Sequence, residues 1–257
     1  MQIGIDLGAT KIESVLLDND GNELHRSRKN SPQNYKETIH SIADAVTFIE
    51  KKYKKKLNVG VCHPGSTNSD TGLIQNAYNS PWLNNMKFSE DISQNLNRRV
   101  MCENDANCFA LSESFDGSAK NYRIVFGIIL GSGCGGGLVI NKKILVGPNF
   151  LAGEWGHIPL GLINEKNNIQ EHISGKGLER IYLKKYKKKL TAEEIFLKSK
   201  DRSSVEYNFT KDFLENLGLS LSILINIIDP DAIVFGGGVS NSIESLDEVK
   251  KLTEKYL

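Results

Sequence analysis

The chain has 257 residues, 39% hydrophobic and 25% charged, with a net charge of +1; this is the profile of a globular protein of one large or two modest domains. The near-neutral balance gives no footing for a nucleic-acid or membrane-surface role, and no apolar run reaches transmembrane length. Four scattered cysteines, Cys62, Cys102, Cys108 and Cys134, form no CxxC pair, which argues against a disulfide framework or a cysteine zinc site.

The N-terminus reads directly as a strand, Gln2 to Asp6, without a signal-peptide pattern, so a cytoplasmic location is expected. A turn at Leu7-Gly8-Ala9-Thr10 leads to a second strand, Lys11 to Leu17. An Asp-Gly hairpin signal at Asp18 to Gly21 then leads to a third, Asn22 to Arg28, completing an antiparallel meander. Backbone N–H groups of Gly8, Ala9, Thr10 and Lys11 can face a phosphate, and Asp6 can hold magnesium through water. An ordinary hairpin explains that turn equally well. A helix from Asn34 to Lys52 puts Ile39, Ile42, Ala43, Val46 and Ile49 on one face. The strand Leu57 to Val61 ends at the breaker cluster His63-Pro64-Gly65-Ser66. Farther on, Asn76-Ala77-Tyr78-Asn79 places amides in a loop.

An apolar-ended strand, Arg99 to Cys102, runs into Glu103-Asn104-Asp105-Ala106-Asn107, and a helix leaves it from Ala106 to Phe115. A carboxylate at that junction can take a proton from a substrate hydroxyl while the adjacent amide holds a second hydroxyl. Asp and Asn are also favoured helix caps, and on this stretch alone capping is the stronger reading.

The second half repeats the pattern of the first. A buried strand, Ile124 to Ile129, meets the turn Gly131-Ser132-Gly133-Cys134-Gly135-Gly136-Gly137 and a further strand, Leu138 to Ile140. Five glycines there let the backbone approach a second phosphate. Glu154-Trp155-Gly156-His157 offers a carboxylate and an imidazole three residues apart, which could hydrogen-bond a polyol, or His157 could ligate a metal; a structural histidine is the usual case. Helices are expected at Gly177 to Tyr186, Thr191 to Leu197 and Asn208 to Ile228. The strand Ala232 to Phe235 follows, closed by Gly236-Gly237-Gly238. Three glycine turns at strand ends describe a nucleotide cleft better than three accidents, and amides with few charges suit a sugar. The expected division is an N-terminal lobe, 1–117, and a C-terminal lobe, 118–257, hinged near Ser114 to Arg123. The heptapeptide Lys-Lys-Tyr-Lys-Lys-Lys-Leu at 51–57 and 184–190 reads as solvated helix ends.

The chain resembles the ROK family of bacterial sugar kinases. The residues that carry the likeness are Ile3 to Lys11, Pro64-Gly65-Ser66, Asn104-Asp105-Ala106-Asn107, Gly131 to Gly137, Glu154 to His157, Ile173-Ser174-Gly175 and the late triple glycine. The stretches Asn104 to Cys108 and Asn76 to Leu83 look most like the fructokinase/mannokinase branch. The resemblance implies an α/β, two-lobed actin-like/hexokinase-like ATPase fold with a cleft between the lobes. The implied reaction is ATP- and magnesium-dependent phosphorylation of a hexose, fructose or mannose, at a primary hydroxyl.

The implied roles follow residue by residue. Asp105 is the general base. Gly65, Ser66, Asn79, Asn104, Glu154, His157 and Gln170 (or Glu171, one register along) contact the sugar. Asp6, Gly8, Ala9, Thr10 and Lys11, with Gly131, Ser132, Gly133, Cys134 and Gly135, serve magnesium and phosphates, and Gly236, Gly237 and Gly238 the nucleoside.

Two departures stand out. The family's Cys-x-Cys-Gly-x-x-Gly-Cys-x-Glu zinc motif is missing from the interval Ile158 to His172, so no zinc is expected and His157 needs another orienting group. Family members also continue past the position of Leu257, and a homodimer is the expected cover for the sheet edge this leaves. The rival readings are a weakly active or inactive sugar-binding protein of the same fold and, more distantly, an ATPase acting on protein partners.

Overall fold

In the computed structural model, which describes residues 1–160 and 167–257, the period-two pattern of the first thirty residues forms three antiparallel strands. These are β1 (Gln2–Leu7), β2 (Lys11–Leu17) and β3 (Glu23–Asn30). One face of β1 buries Ile3, Ile5 and Leu7. Helix α1 (Tyr35–Tyr53) starts at Asn34, whose side chain accepts from Glu37 N, and its apolar face covers the sheet through Ile42, Val46 and Ile49. β4 (Asn58–His63) returns parallel to β1. Two short strands, β5 (Ser66–Thr67) and β6 (Ile74–Gln75), pair as a small hairpin. Helix α2 (Phe88–Asn95) leads to β7 (Met101–Asn104), parallel to β4, giving the order β3-β2-β1-β4-β7. β7 feeds without a loop into α3 (Asp105–Phe115).

The chain divides inside α3. One unit is Met1–Cys108 with Pro148–Phe150, the other Phe109–Gly147 with Leu151–Leu257. The second unit holds β8 (Ile124–Leu130), β9 (Cys134–Ile140) and β10 (Lys143–Ile144) as an antiparallel meander. Helices α4 (Ile169–Ile173), α5 (Gly175–Tyr186), α6 (Ala192–Lys198) and α7 (Val205–Ile228) come before β11 (Ala232–Gly236), and α8 (Leu246–Glu254) after it. β11 lies parallel to β8, so the order is β10-β9-β8-β11. This matches β3-β2-β1-β4 in the first unit, the repeat expected from sequence. One face of the second sheet joins a core of Phe126, Ile128, Leu130, Trp155, Tyr182 and Phe213. The other packs on α3, where a Cβ on Gly127 would come within 2.6 Å of Ala110 Cβ.

Three details differ from the sequence reading. Cys134 to Gly137 are strand, paired with β8, rather than turn. The glycine at 136 is set by packing, since a Cβ there would lie 2.6 Å from Gly153 O and 2.8 Å from the Trp155 ring. Strand β7 begins at Met101 and continues to Asn104. The sequence reading also missed α2, α8 and the β5–β6 hairpin. No helix among the described residues is long and apolar enough to cross a membrane.

Candidate functional site

In the first unit, β1 and β4 place Asp6 beside Cys62 in parallel register. The Cys62 thiol donates to Asp6 Oδ1 at 3.3 Å. Contact with the Cys108 thiol, burial and the Asp6 carboxylate push the Cys62 thiol well above its usual range, which keeps it protonated as the donor. The turn after β1 is pinned from both ends. Gly8 N donates to Lys11 O at 2.9 Å and Ser31 N to Thr10 O at 2.9 Å, while Gln33 Nε2 reaches Ala9 O at 3.0 Å. The Lys11 ammonium bonds Asn30 Oδ1.

The loop after β4 depends on a strained glycine and a buried histidine. Gly65 has φ +81°, and a Cβ on it would lie 2.4 Å from Gln75 O and 2.9 Å from Ala77 N. His63 is fully buried; its Nδ1 lies 3.1 Å from Pro64 O and its Nε2 3.3 Å from Thr67 Oγ1. Burial depresses its pKa, which favours the neutral ring. His63 therefore braces the Pro64-Gly65-Ser66 loop from below. The sequence reading had taken it only as part of a breaker cluster; the signal was a histidine ending an apolar strand just before Pro-Gly. Ser66 Oγ, Ser80 Oγ and Asn107 Oδ1 are buried without a hydrogen-bond partner among the described residues. Asn79 lies between β6 and the 3-10 turn Pro81–Leu83.

Asn104 organises the junction with α3. Its Nδ2 donates to Gly65 O at 2.9 Å and to Asp105 Oδ1 at 3.1 Å. Its Oδ1 accepts from Ala106 N at 3.0 Å and from Asn107 N at 3.1 Å, which is helix capping. The capping role thus falls mainly to Asn104, although Asp105 Oδ1 also accepts from Ala106 N at 2.8 Å. Asp105 opens the helix, where its negative charge is favoured by the helix dipole. Glu103 Oε1 holds the junction from the other side, accepting from Asn104 N at 2.7 Å and Asn107 Nδ2 at 3.1 Å.

In the second unit, the turn Gly131-Ser132-Gly133 is tied to the start of α5 by Gly175 N to Gly131 O (2.8 Å) and Lys176 N to Ser132 O (3.2 Å). Cys134 N donates to Gln170 Oε1 at 3.1 Å. Trp155 Nε1 donates to Gly135 O at 3.2 Å, and a Cβ on Gly156 would lie 2.6 Å from Cys134 O. The Glu154–His157 element is thus packed directly on the glycine strand. Glu154 Oε2 lies 3.6 Å from His157 Nε2. Burial raises the Glu154 carboxyl above its ordinary value, partly opposed by His157. Gly236 ends β11 against the Phe109 ring, and Gly237, at φ +91°, would place a Cβ 2.4 Å from Leu130 O. A Cβ on Gly131 or Gly238 would meet nothing within 4 Å, so these two leave room for an approaching group.

The described residues do not fit a zinc ion. Positions 158–172 contain no cysteine, and among the described residues no group of three or more His, Cys, Asp or Glu side chains comes together for a metal. Residues 161–166 of that interval lie outside the described residues. The described stem is closed by backbone bonds instead: Ile169 N to Ile158 O and Leu160 N to Asn167 O, each 3.0 Å. Glu171, the alternative to Gln170 as a sugar contact, pairs with Arg180.

The ROK family profile matches residues 2–257. The N-acetyl-D-glucosamine kinase of Histophilus somni is 34% identical over 275 residues, an alignment covering 100% of this chain and 90% of that protein. The ROK hexokinase of Thermus thermophilus superposes with a TM-score of 0.86 at 24% identity, covering 100% of this chain and 88% of that one. A ROK glucokinase of Streptomyces griseus, solved with glucose and AMPPNP, gives 0.83 at 25% identity, covering 100% and 89%. The chain therefore belongs to the ROK family of sugar kinases and has their actin-like ATPase fold.

Proposed function

We propose that the chain transfers the γ-phosphoryl group of ATP to a hexose hydroxyl, with Asp105 as general base. The observation that carries this reading is the Asn104 brace. One amide caps α3, holds Gly65 O and donates to Asp105 Oδ1, so the base and the sugar loop are positioned by one side chain. Such prior positioning supplies much of the rate enhancement in phosphoryl transfer. Asp105 takes the hydroxyl proton as the oxygen attacks phosphorus, and ADP leaves. Asn104, Ser66, Asn79, Glu154 and His157 hold sugar hydroxyls; the partnerless buried Ser66 hydroxyl gains a partner when a sugar binds. Phosphate oxygens meet the amides of residues 8–11 and 131–134, and Gly236 to Gly238 flank the nucleoside. Magnesium, held at Asp6 through water, would neutralise charge on the phosphates.

The sugar proposed first is N-acetyl-D-glucosamine, because the curated relatives with substantial identity carry that activity in their names. The fructose or mannose expectation finds no support in those names. It stands as the second reading, on the stretches Asn76 to Leu83 and Asn104 to Cys108. ADP release measured with ATP and magnesium across N-acetylglucosamine, N-acetylmannosamine, glucose, fructose and mannose separates them, with a zinc-selective chelator as control. The proposal expects turnover with one of these sugars, unaffected by zinc chelation. A folded sample that turns over none of them favours the sugar-binding protein without kinase activity.

A further inference from the structure

Gln170 also makes a contact that the proposed kinase function has not used. Family resemblance makes it a sugar contact. Its carbonyl oxygen is engaged by Cys134 N at 3.1 Å, and a Cβ on Gly133 would lie 3.1 Å from the same Oε1. The side chain thus lies along the glycine turn. Its own backbone is held from several directions. α4 is capped by Asn168, whose Oδ1 accepts from Glu171 N at 3.0 Å. Ile169, the residue before Gln170, is fully buried and its N–H closes the hairpin stem on Ile158 O. On the far side of Gln170, the Ser174 hydroxyl caps α5, and Gly175 and Lys176 donate to Gly131 O and Ser132 O.

We propose that Gln170 is a positioning residue for the phosphate-binding turn, fixing the amides of residues 131–134 for ATP. In this chain the α4–α5 corner, seated by the backbone bonds of Ile158 with Ile169 and Leu160 with Asn167, sets the shape of that turn. A carboxylate, which the family motif carries at this register, would keep an acceptor for Cys134 N, so the acceptor oxygen is the feature the position requires.

The inference rests on the kinase reading, and nucleotide binding separates the two. Affinity for a fluorescent ATP analogue is titrated on wild type, Gln170→Leu, Gln170→Asn and Gln170→Glu, alongside KM for ATP and for sugar. Gln170→Leu removes the acceptor and Gln170→Asn draws it back by one methylene. Both are expected to weaken nucleotide binding about ten-fold, the order for a backbone donor losing its acceptor, with sugar KM changed less than about two-fold. Gln170→Glu keeps an acceptor for Cys134 N and is expected to hold nucleotide affinity within about two-fold of wild type, with an unchanged melting temperature. If Gln170→Leu fails to fold, the Asn and Glu variants carry the comparison. A rise in sugar KM with nucleotide affinity intact would restore Gln170 as a sugar contact and overturn the proposal. Unchanged nucleotide affinity in all variants would do the same. Wild type that binds nucleotide without turnover would remove the kinase reading and leave this inference standing, whereas wild type that binds none would remove both.

Discussion

Gly65→Ala isolates the physical basis of the sugar loop. At φ +81° an alanine is in the left-handed region, which costs about 1–2 kcal/mol. Its Cβ would lie 2.4 Å from Gln75 O and 2.9 Å from Ala77 N, both backbone atoms, so relief requires moving the chain. Overpacking of this kind costs about 1–3 kcal/mol, offset by about 0.4–1 kcal/mol from the stiffer unfolded chain. The expected loss is therefore about 1–4.5 kcal/mol, read by urea denaturation with circular dichroism. Displacing the loop also moves Gly65 O, the acceptor for Asn104 Nδ2 at 2.9 Å, so kcat should fall with stability. Gly131→Ala is the contrast, since nothing lies within 4 Å of its Cβ; stability should change by less than about 0.5 kcal/mol. If Gly65→Ala cost no more than Gly131→Ala and left kcat intact, the strained-loop argument would be wrong.

Other predictions concern the neighbouring groups. Asn104→Ala removes the α3 cap and should cost about 0.5–2 kcal/mol, with a fall in kcat larger than the change in ATP KM. Full activity in that variant would dismiss the brace. The raised carboxyl of Glu154 takes up a proton at higher pH than an exposed glutamate. Sugar KM should therefore climb as pH falls through that raised value, and Glu154→Gln should flatten the acidic limb; an unchanged profile in the variant excludes Glu154 as its source. His63 has its folded pKa depressed below 6.5 by burial, so the unfolded chain binds its proton first on acidification. Its contribution is fully present above about 6.5 and is lost as pH drops below it. The melting temperature of wild type should slope downward there, and His63→Gln should lessen the slope.

Much of this architecture was legible because it rests on local signals. The hairpin at Asp18 to Gly21, the helix start near Asn34 and the apolar stripe of α1 are each written within a few adjacent residues. The repeat of strand, glycine turn and strand was readable for the same reason. What escaped depended on distant neighbours. The need for glycine at 136 follows from packing by Gly153 and Trp155, which no window around the glycines contains. The turn of Gln170 onto Cys134 joins residues far apart in sequence, and its motif position argued for a different partner. Competition between capping and catalysis at Asn104-Asp105 was visible in sequence. Assigning the cap mainly to Asn104 required the hydrogen-bond geometry.

Asp105 carries the proposed chemistry, and the Asp105→Asn variant tests it directly. Sugar affinity is measured by calorimetry and phosphoryl transfer by single-turnover assay with the preferred sugar. Sugar binding is expected within a few-fold of wild type, with transfer slowed by about 10²–10⁴-fold, the range for a lost general base. Transfer within about ten-fold of wild type, with the variant folded and binding sugar, would contradict it.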